Sequence, residues 1–458
     1  MIENDAFKLL LINLFHLNPD DITNIVCTTF NKMMVLLVTL ADKHQACPYC
    51  GFTAPKIKEY VTKEITHSAL TTQKCIIKYR ARRYKCPCCG KTYYEFNPFV
   101  FKSQKISILT VYNILKDLKD FNETFTSVAR RYHVSPTSVS TIFDNHVDIG
   151  RNPLPEIINF DEVYAFKSEK SKYVCVLLDF KKQIPVDVLP NRKKEYLLNY
   201  FQKIPLEERK KVKYACSDMY EVYRDVVHKV FPEAKHLLDY FHLSQDFHKK
   251  MNEVRIKVMK GYKDNKASDE YYLLKKFNWL LFKNPEDEDK YGRLFDVERE
   301  RKYNSHFKSY MNYYDLRKKL LEINNDLTIC YSLKLELVDF YSKSTIDNAK
   351  VNLEILIRSF IDTNIEEMIK FSNNLINWKQ EIINSFTIVG AEYKVEADKG
   401  QVVVCNKKVN NAIIENRNKI IKCIKNNANG YTNWLRFRNR VMYVLDPNAT
   451  FSLEPKEK

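Results

Sequence analysis

Five of the twelve cysteines crowd into two short stretches, "CPYCG" with Cys47 and Cys50 and "CPCCGK" with Cys86, Cys88 and Cys89. Two Cys-x-x-Cys knuckles supply four thiolates that can close a tetrahedron around zinc, and a glycine after each knuckle permits the tight turn. Cys86 and Cys89 keep the spacing, which leaves Cys88 as a spectator. Redox catalysis would need only one knuckle, so the pair reads as a structural Zn2+ ribbon with Cys47, Cys50, Cys86 and Cys89 as ligands. A module this small buries little apolar surface, and structural zinc contributes about 10–16 kcal/mol in small peptides, so the metal is expected to hold it together. The other cysteines are scattered singly through apolar segments, as reduced core cysteines are.

A second chemistry is carried by acids. In "IINFDEVYAF" two carboxylates, Asp161 and Glu162, sit side by side in an apolar run that reads as a strand, so alternation sends one of them to the covered side of a sheet. A buried carboxylate needs a hydrogen-bonding partner, a proton or a metal ion. The elements around it follow in order: strands "IINFDEVYAF", "KYVCVLLDF" and "QIPVDVLPN", helix "KKEYLLNYFQKI", strand "KVKYACSDM", helix "YEVYRDVVHKVF" and strand "AKHLLDYFHL". Three meandering strands followed by alternating helices and strands is the order of a ribonuclease-H-like α/β fold, in which the first strand lies beside the end of the fourth. That arrangement would bring Asp161 to Asp218. Two carboxylates roughly 4 Å apart repel by about 4 kcal/mol at an effective dielectric of about 20, so both stay ionised only with compensation. Magnesium (or manganese) ions provide it, and a metal pair can activate an attacking oxygen and stabilise a leaving one in phosphodiester chemistry.

A third carboxylate normally completes such a site, and the candidate is Glu415 in "NNAIIENRNKIIKCIKNNANGYTNWLRFRNRV". On a helix, Ile413, Ile420 and Ile424 form an apolar stripe, with Asn411, Glu415, Asn418, Lys422 and Lys425 opposite. Spacing alone favours an i,i+4 pair of Glu415 with Lys419; the functional alternative is a metal ligand beside lysines, Lys422 and Lys425, that contact DNA phosphates. His242 in "DYFHLSQ" is either an active-site neighbour or a core histidine satisfied by Asp239 or backbone. Arg192 in "LPNRKK" either holds a phosphate or faces solvent. Tyr431, Trp434 and Phe437 read as core packing rather than as a base-stacking platform.

The chain of 458 residues carries 74 Lys and Arg against 57 acids, a formal charge of +17 that suits a polyanionic partner. Much of that charge lies between the cysteine knuckles, in "KCIIKYRARRYK", where Arg80, Arg82 and Arg83 are expected at a DNA backbone. After the ribbon, "KISILTVYNILKDLKDF" has helical spacing, and "FTSVARRYHVSPTSVSTIFDNHV" reads as two short helices joined at Val134. Thr124 caps the first, and Ser135 followed by Pro136 starts the second. Val139, Ile142 and Phe143 then pack inward, and Thr137, Ser138 and Thr141 face out where a helix-turn-helix reads a major groove. "IGRNPLPE" is a linker. No apolar run approaches the roughly 18 residues of a membrane span, and "MIENDAFK" lacks a secretory pattern, so a cytoplasmic protein with no membrane partner is expected.

Taken together, "CPYCG", "RRYKCPCCGKTYYE", "NFDEVYAFK", "SDMYEVYRDVV", "FPEAKHLLDYFHLSQ" and "NNAIIENRNKIIKCIKNNANGYTNWLRFRNR" resemble the ISL3 family of bacterial insertion-sequence transposases over nearly the whole chain. The resemblance implies an N-terminal region with a zinc ribbon over 1–100, a helix-turn-helix over 101–150, and a DDE domain over 151–458 with an all-helical insertion at about 249–393. It implies that Asp161, Asp218 and Glu415 match the catalytic triad and that the front end binds the element's terminal inverted repeats. The implied activity is cut-and-paste transposition into target DNA by a dimer or larger assembly, because two ends must be synapsed. An inert DNA-binding regulator and a ribonuclease-H-like nuclease are the other functions compatible with this chain.

Overall fold

The computed structural model describes residues 2–43, 46–53, 55–101, 104–166, 171–394 and 402–456. The polar turn expected between the first two strands of the acid-bearing region, residues 167–170, lies outside them.

Helix α1 (Ile2–Leu14) leads into a five-stranded sheet of β1 (Ile22–Phe30), β2 (Met33–Leu40), β3 (Lys56–Thr66), β4 (Cys75–Lys85) and β5 (Thr92–Tyr94), ordered β1-β2-β4-β3 with β5 on the end of β4. Along β4 the period of two sends Cys75, Ile77, Tyr79 and Ala81 into a core with Leu11, Phe15, Ile25 and Leu36. This corrects one expectation. The ribbon is not a free-standing module held by metal alone, because its two 11-residue strands run on from the cysteines into a sheet with its own apolar core.

Three helices follow: α2 (Ile108–Asp117), α3 (Phe125–Arg131) and α4 (Pro136–His146). Their starts are set by side-chain caps from Ser107, Thr124 and Ser135, with a capping box between Thr124 and Ser127 and Pro136 in the first turn of α4. Val139, Ile142 and Phe143 are buried between the helices, as the spacing predicted, together with Val128.

The acid-bearing region forms a second five-stranded sheet from β6 (Ile157–Val163), β7 (Val174–Asp179), β8 (Pro185–Leu189), β9 (Tyr214–Ser217) and β10 (Lys235–Leu238), ordered β10-β9-β6-β7-β8. The β6–β7–β8 meander is antiparallel, while β9 runs parallel to β6 and β10 parallel to β9. This is the order expected for a ribonuclease-H-like sheet. Helices α5 (Lys194–Gln202), α6 (Leu206–Arg209) and α7 (Glu221–Val230) supply the connections, and α5 and α7 cover one face through Leu197, Phe201, Tyr223 and Val227 against Phe160 and Leu177. The strand read in "AKHLLDYFHL" ends at Leu238, and its second half opens the long helix α8 (Tyr240–Lys260).

Helix α8 carries the chain into the insertion, which contains α9 (Asp269–Lys276), short hairpins β11 (Glu288–Asp289) with β12 (Gly292–Arg293) and β13 (Lys302–Asn304) with β14 (Ser309–Met311), and then α10 (Tyr313–Glu322), α11 (Asn325–Lys343), α12 (Ala349–Ile361), α13 (Glu366–Asn377) and α14 (Lys379–Asn384). The insertion is therefore not all-helical, and its final stretch already belongs to the hairpin of β15 (Ile388–Lys394) and β16 (Val402–Lys408). "YYLLKKFNWLLFKNPEDEDK" has the spacing of an amphipathic helix, but the α-helix stops at Lys276 and the chain continues as a short 3-10 turn over Asn278–Phe282 that buries Leu280 and Leu281.

Two helices close the second face of the sheet: α15 (Ala412–Asn427) and α16 (Trp434–Leu445). Ile414, Ile421, Phe437 and Val441 pack on Val163, Val176 and Val188, with Tyr431 and Trp434 at the margin of this core, as expected. Helix α16 also reaches the three N-terminal helices. Tyr443 joins their core, Arg436 pairs with Asp144, and buried Arg440 donates to the carbonyls of Asp120 and Glu123 at 2.8 and 2.7 Å. Of the scattered cysteines, Cys75, Cys175, Cys216 and Cys330 are buried, Cys27 is half-buried, and Cys423 is exposed. No helix among the described residues is long and apolar enough to cross a membrane.

Candidate active site

Strand register explains why the acids meet. Ile157, Ile158 and Asn159 of β6 pair with Tyr214, Ala215 and Cys216 of β9, so continuing the ladder sets Asp161 opposite Asp218. On the other side, Ser217 pairs with Leu238 of β10, which sets Asp239 beside Asp218. Asp161 on β6 is thus flanked by Asp218 and Asp239, which directly follow the ends of β9 and β10. Asp161 shares a face with Val163, and that face looks at α15.

Helix α15 is seated on this sheet end by amides. Asn418 Nδ2 donates to Asp161 Oδ2 at 2.7 Å, Asn159 Nδ2 donates to Asn411 Oδ1 at 2.7 Å, and the Asn411 backbone N–H donates to Asp239 Oδ1 at 3.1 Å. The buried face of α15 is accordingly Asn411, Ile414, Asn418, Ile421 and Ile424. The expected stripe of Ile413, Ile420 and Ile424 is rotated, with Ile413 and Ile420 only half-buried. The reason is that a sheet end crowded with carboxylates and amides selects hydrogen-bond partners, not methyl groups.

That seating puts Glu415, in the first turn of α15, next to the aspartates. Glu415 Oε1 lies 3.9 Å from His242 Nε2, which is also 3.9 Å from Asp239 Oδ2. One ligand atom from each of Asp239, His242 and Glu415 falls within 4.8 Å of the others. His242 belongs to the first turn of α8, so two helix N-termini point at the cluster and favour its negative charge.

Electrostatically the site is under tension. Burial, then repulsion from Asp218, pushes the Asp161 carboxyl up to about 7. Burial also raises Asp218 and Asp239 above the usual carboxylate range. Asp239 Oδ2 and His242 Nε2 are buried with no hydrogen-bond partner. Oxygen ligands in excess of their compensating charge, with orphaned atoms aimed at one another, suit divalent cations such as Mg2+.

Clefts open on both sides of the cluster. One, of about 590 Å³, is lined by Arg192, Asp218, Tyr220, His242 and Lys249; the other, of about 450 Å³, by Asp239, Phe241, Tyr341, Lys408 and Glu415. Arg192 faces the first cleft, packed on the rings of Tyr173 and Tyr220 at 4.6 and 4.7 Å and ion-paired with Glu162. Asp239, Asn411 and Asn418 are the residues that sequence reasoning missed. Asp239 carried a signal, since it ends a strand immediately before a helix just as Asp218 does.

The four cysteines also converge. Cys47 Sγ lies 3.7 Å from Cys89 Sγ, Cys50 Sγ lies 3.5 Å from Cys86 Sγ, and all four fall within 4.8 Å of one another. The two knuckles repeat one hydrogen-bond pattern: Gly51 N–H donates to the Cys47 carbonyl, and Gly90 N–H to that of Cys86. Both glycines have φ near +70°, +75° and +69°, which a side chain would resist. Backbone hydrogen bonding from Cys89 draws the Cys86 thiol down to about 7. A set of four thiols in this shape fits zinc, and Cys88 stays exposed outside it.

The residues expected at DNA fare unequally. Thr137 and Thr141 are exposed on α4, Ser138 is half-buried and bonded to Ser135, Lys422 is exposed, and Lys425 lies over the Tyr164 ring at 5.1 Å. Arg80 is exposed, 4.9 Å from the Tyr60 ring, and Arg83 pairs with Glu59. Arg82, by contrast, turns inward. It pairs with buried Glu95 at 2.7 Å and donates to the carbonyls of Leu40 and Ala41, so its charge is spent inside the sheet.

Comparison with known proteins adds two findings. A family model described as a transposase, of the ISL3 DDE type, matches residues 158–391, just over half of the chain. The match contains Asp161, Asp218, Asp239 and His242, and Glu415 lies beyond it. The chain is similar to the transposase for insertion sequence element IS1001 of Bordetella parapertussis, 20% identical over 250 residues, or 54% of this chain and 61% of that protein. The chain thus spans less than two thirds of that relative's length.

Proposed function

The chain belongs to the ISL3 family of transposases, and from that premise we propose that it binds the terminal inverted repeats of an insertion sequence and moves it by cut-and-paste strand cleavage and transfer. The observation that carries this reading is the convergence of Asp161, Asp218 and Glu415, distant along the chain, on one sheet end with Asp239 and His242.

In the proposed reaction a water oxygen attacks phosphorus at the element end and the 3′ oxygen departs as a hydroxyl. That 3′ hydroxyl then attacks a target phosphodiester, one P–O bond forming as another breaks. Mg2+ (or Mn2+) held by Asp161, Asp218 and Glu415 would supply charge stabilisation for the attacking and leaving oxygens. Asn418 fixes the Asp161 carboxylate through its 2.7 Å hydrogen bond. His242 Nε2 sits between Asp239 and Glu415, 3.9 Å from a carboxylate oxygen of each. Arg192, held against two tyrosines at the mouth of the first cleft, would take a phosphate beside the scissile one.

The front end would choose the DNA. Helices α2 to α4 act as the helix-turn-helix, with Thr137, Ser138 and Thr141 toward the bases, while Arg80, Arg83, Lys422 and Lys425 meet phosphates and structural Zn2+ orders the cysteine tip. The domain limits given above follow from this division, and a dimer or larger assembly pairs the two ends.

The test is an end-cleavage and strand-joining assay on labelled inverted-repeat DNA with Mg2+ or Mn2+. Nicked ends that join a target plasmid are expected. Binding without cutting would make the protein an inert regulator, and cutting without joining would make it a nuclease.

A further inference from the structure

Among the described residues, one cluster of metal-ligand side chains is used by neither the cysteine tip nor the carboxylate site. It comprises His228 in the last turn of α7, His236 on β10 and Glu381 on α14, with one ligand atom of each within 4.8 Å of the others. His236 is 1% exposed, and its two nitrogens are in unequal positions. Nε2 lies 2.8 Å from Ser217 Oγ, whereas Nδ1 is buried and has no partner. Glu381 is 5% exposed, and its carboxylate lies 4.0 Å from His228 Nε2, beyond hydrogen-bond reach.

A buried carboxylate and an orphaned imidazole nitrogen in one place both lack a cation. An ion pair between His228 and Glu381 would satisfy the carboxylate alone and leave His236 Nδ1 unmet. We infer that His228, His236 and Glu381 bind a transition-metal ion of the zinc class, with a water as fourth ligand, and that this ion ties the helical insertion to the catalytic sheet. Two imidazoles and one carboxylate are a ligand set that Zn2+ prefers over Mg2+. Bonds of about 2 Å place tetrahedral ligands about 3.3 Å apart, so the cluster contracts by about 1 Å on binding. His228 can make that movement, because its side chain is 57% exposed. Arg224, the nearby cation, is turned away onto the Trp378 ring and the Asn377 carbonyl.

The site also has a path to the carboxylates. With metal on Nδ1, the Nε2–H of His236 donates to Ser217 Oγ, and the Ser217 hydroxyl donates to the Asp218 carbonyl at 2.9 Å. The ion would therefore orient the strand end that carries Asp218, making His236 a positioning residue. Helix α14 is bound to the same strand by Asn384, whose Nδ2 donates to the His236 carbonyl at 2.8 Å.

Zinc content of the purified full-length chain, measured by mass spectrometry with excess Mg2+ to keep the carboxylate site out of the count, tests this. His228→Ala and Glu381→Gln should each lower zinc by about one ion per chain, leaving the cysteine-bound ion. X-ray absorption on the zinc-loaded wild type gives an independent reading that needs no variant: a mixed shell of sulfur with nitrogen and oxygen is expected. Unchanged zinc content in both variants, or a shell of sulfur alone, would overturn the assignment.

Discussion

The cysteine tip and the carboxylate platform each gather groups that repel when ionised, but the surrounding protein treats them differently. At the tip, Cys47, Cys86, Tyr84 and Tyr93 form a core of only a few side chains, and the knuckles are shaped by backbone turns at Gly51 and Gly90. Little besides a metal would hold them in place. At the platform, a sheet covered on both faces, two helix N-termini and a set of asparagines fix Asp161, Asp218, Asp239 and Glu415. There the scaffold supplies the order, and the repulsion it maintains is available for binding metal. One site would need a cation to hold its structure; the other has the structure that would attract one.

The largest effects should come from relieving the platform. Asp161→Asn is expected to reduce end cleavage by on the order of a thousandfold or more while leaving end binding intact. The same change should stabilise the metal-free chain at alkaline pH. Asp161 titrates near 7 in the fold against an ordinary value of 3.8, so its favourable contribution is fully present below about pH 4 and is lost as pH rises through 7. The loss is on the order of 4 kcal/mol, visible as a thermal midpoint that falls between about pH 4 and 7 in the wild type and falls less in the variant. Adding Mg2+ or Mn2+ should restore the wild type at pH 8 and do little at pH 5. A wild type with the same pH slope as the variant would remove the claim of stored repulsion.

A smaller loss is expected at the seam that seats α15. Asn418→Ala should lower cleavage by about 10–100-fold, because Asp161 keeps its charge but loses its fixed orientation. A rate equal to wild type would mean that the sheet alone positions the carboxylate. At the tip, stripping zinc with a chelator should raise hydrogen exchange in residues 46–53 and 86–94 while the core strands β1, β2 and β4 stay protected. Uniform loss of protection across that sheet would instead show that its apolar core depends on the metal. The smallest effects separate two neighbouring arginines. Arg80→Ala should reduce the salt slope of DNA binding by about one with little change in stability. Arg82→Ala should leave the slope unchanged and cost about 1–3 kcal/mol, since it strands buried Glu95.

These contrasts also indicate what could be read before any coordinates. The knuckles, the Ser135–Pro136 helix start and the pairing of Asp161 with Asp218 were legible because each rests on local spacing or on strand order. Arg82 was misjudged because a charged residue in a basic run gives no sign of the acid it meets across the sheet, here Glu95. The rotated face of α15 was hidden for a related reason: hydrophobic periodicity assumes that the partner surface is apolar, whereas Asn418 and Asn411 were needed by Asp161, Asn159 and Asp239. The hairpins at residues 288–311 escaped notice because strands of two or three residues are too short to show a period.

Helix α16 has a consequence for biosynthesis. The three helices after the first sheet complete their packing only with Tyr443, Arg440 and Arg436, and the His146 ring is met by the Ser452 carbonyl 306 positions later. A ribosome that has just released α2, α3 and α4 therefore exposes them with one apolar flank bare, and they stay so until the chain has grown past residue 450.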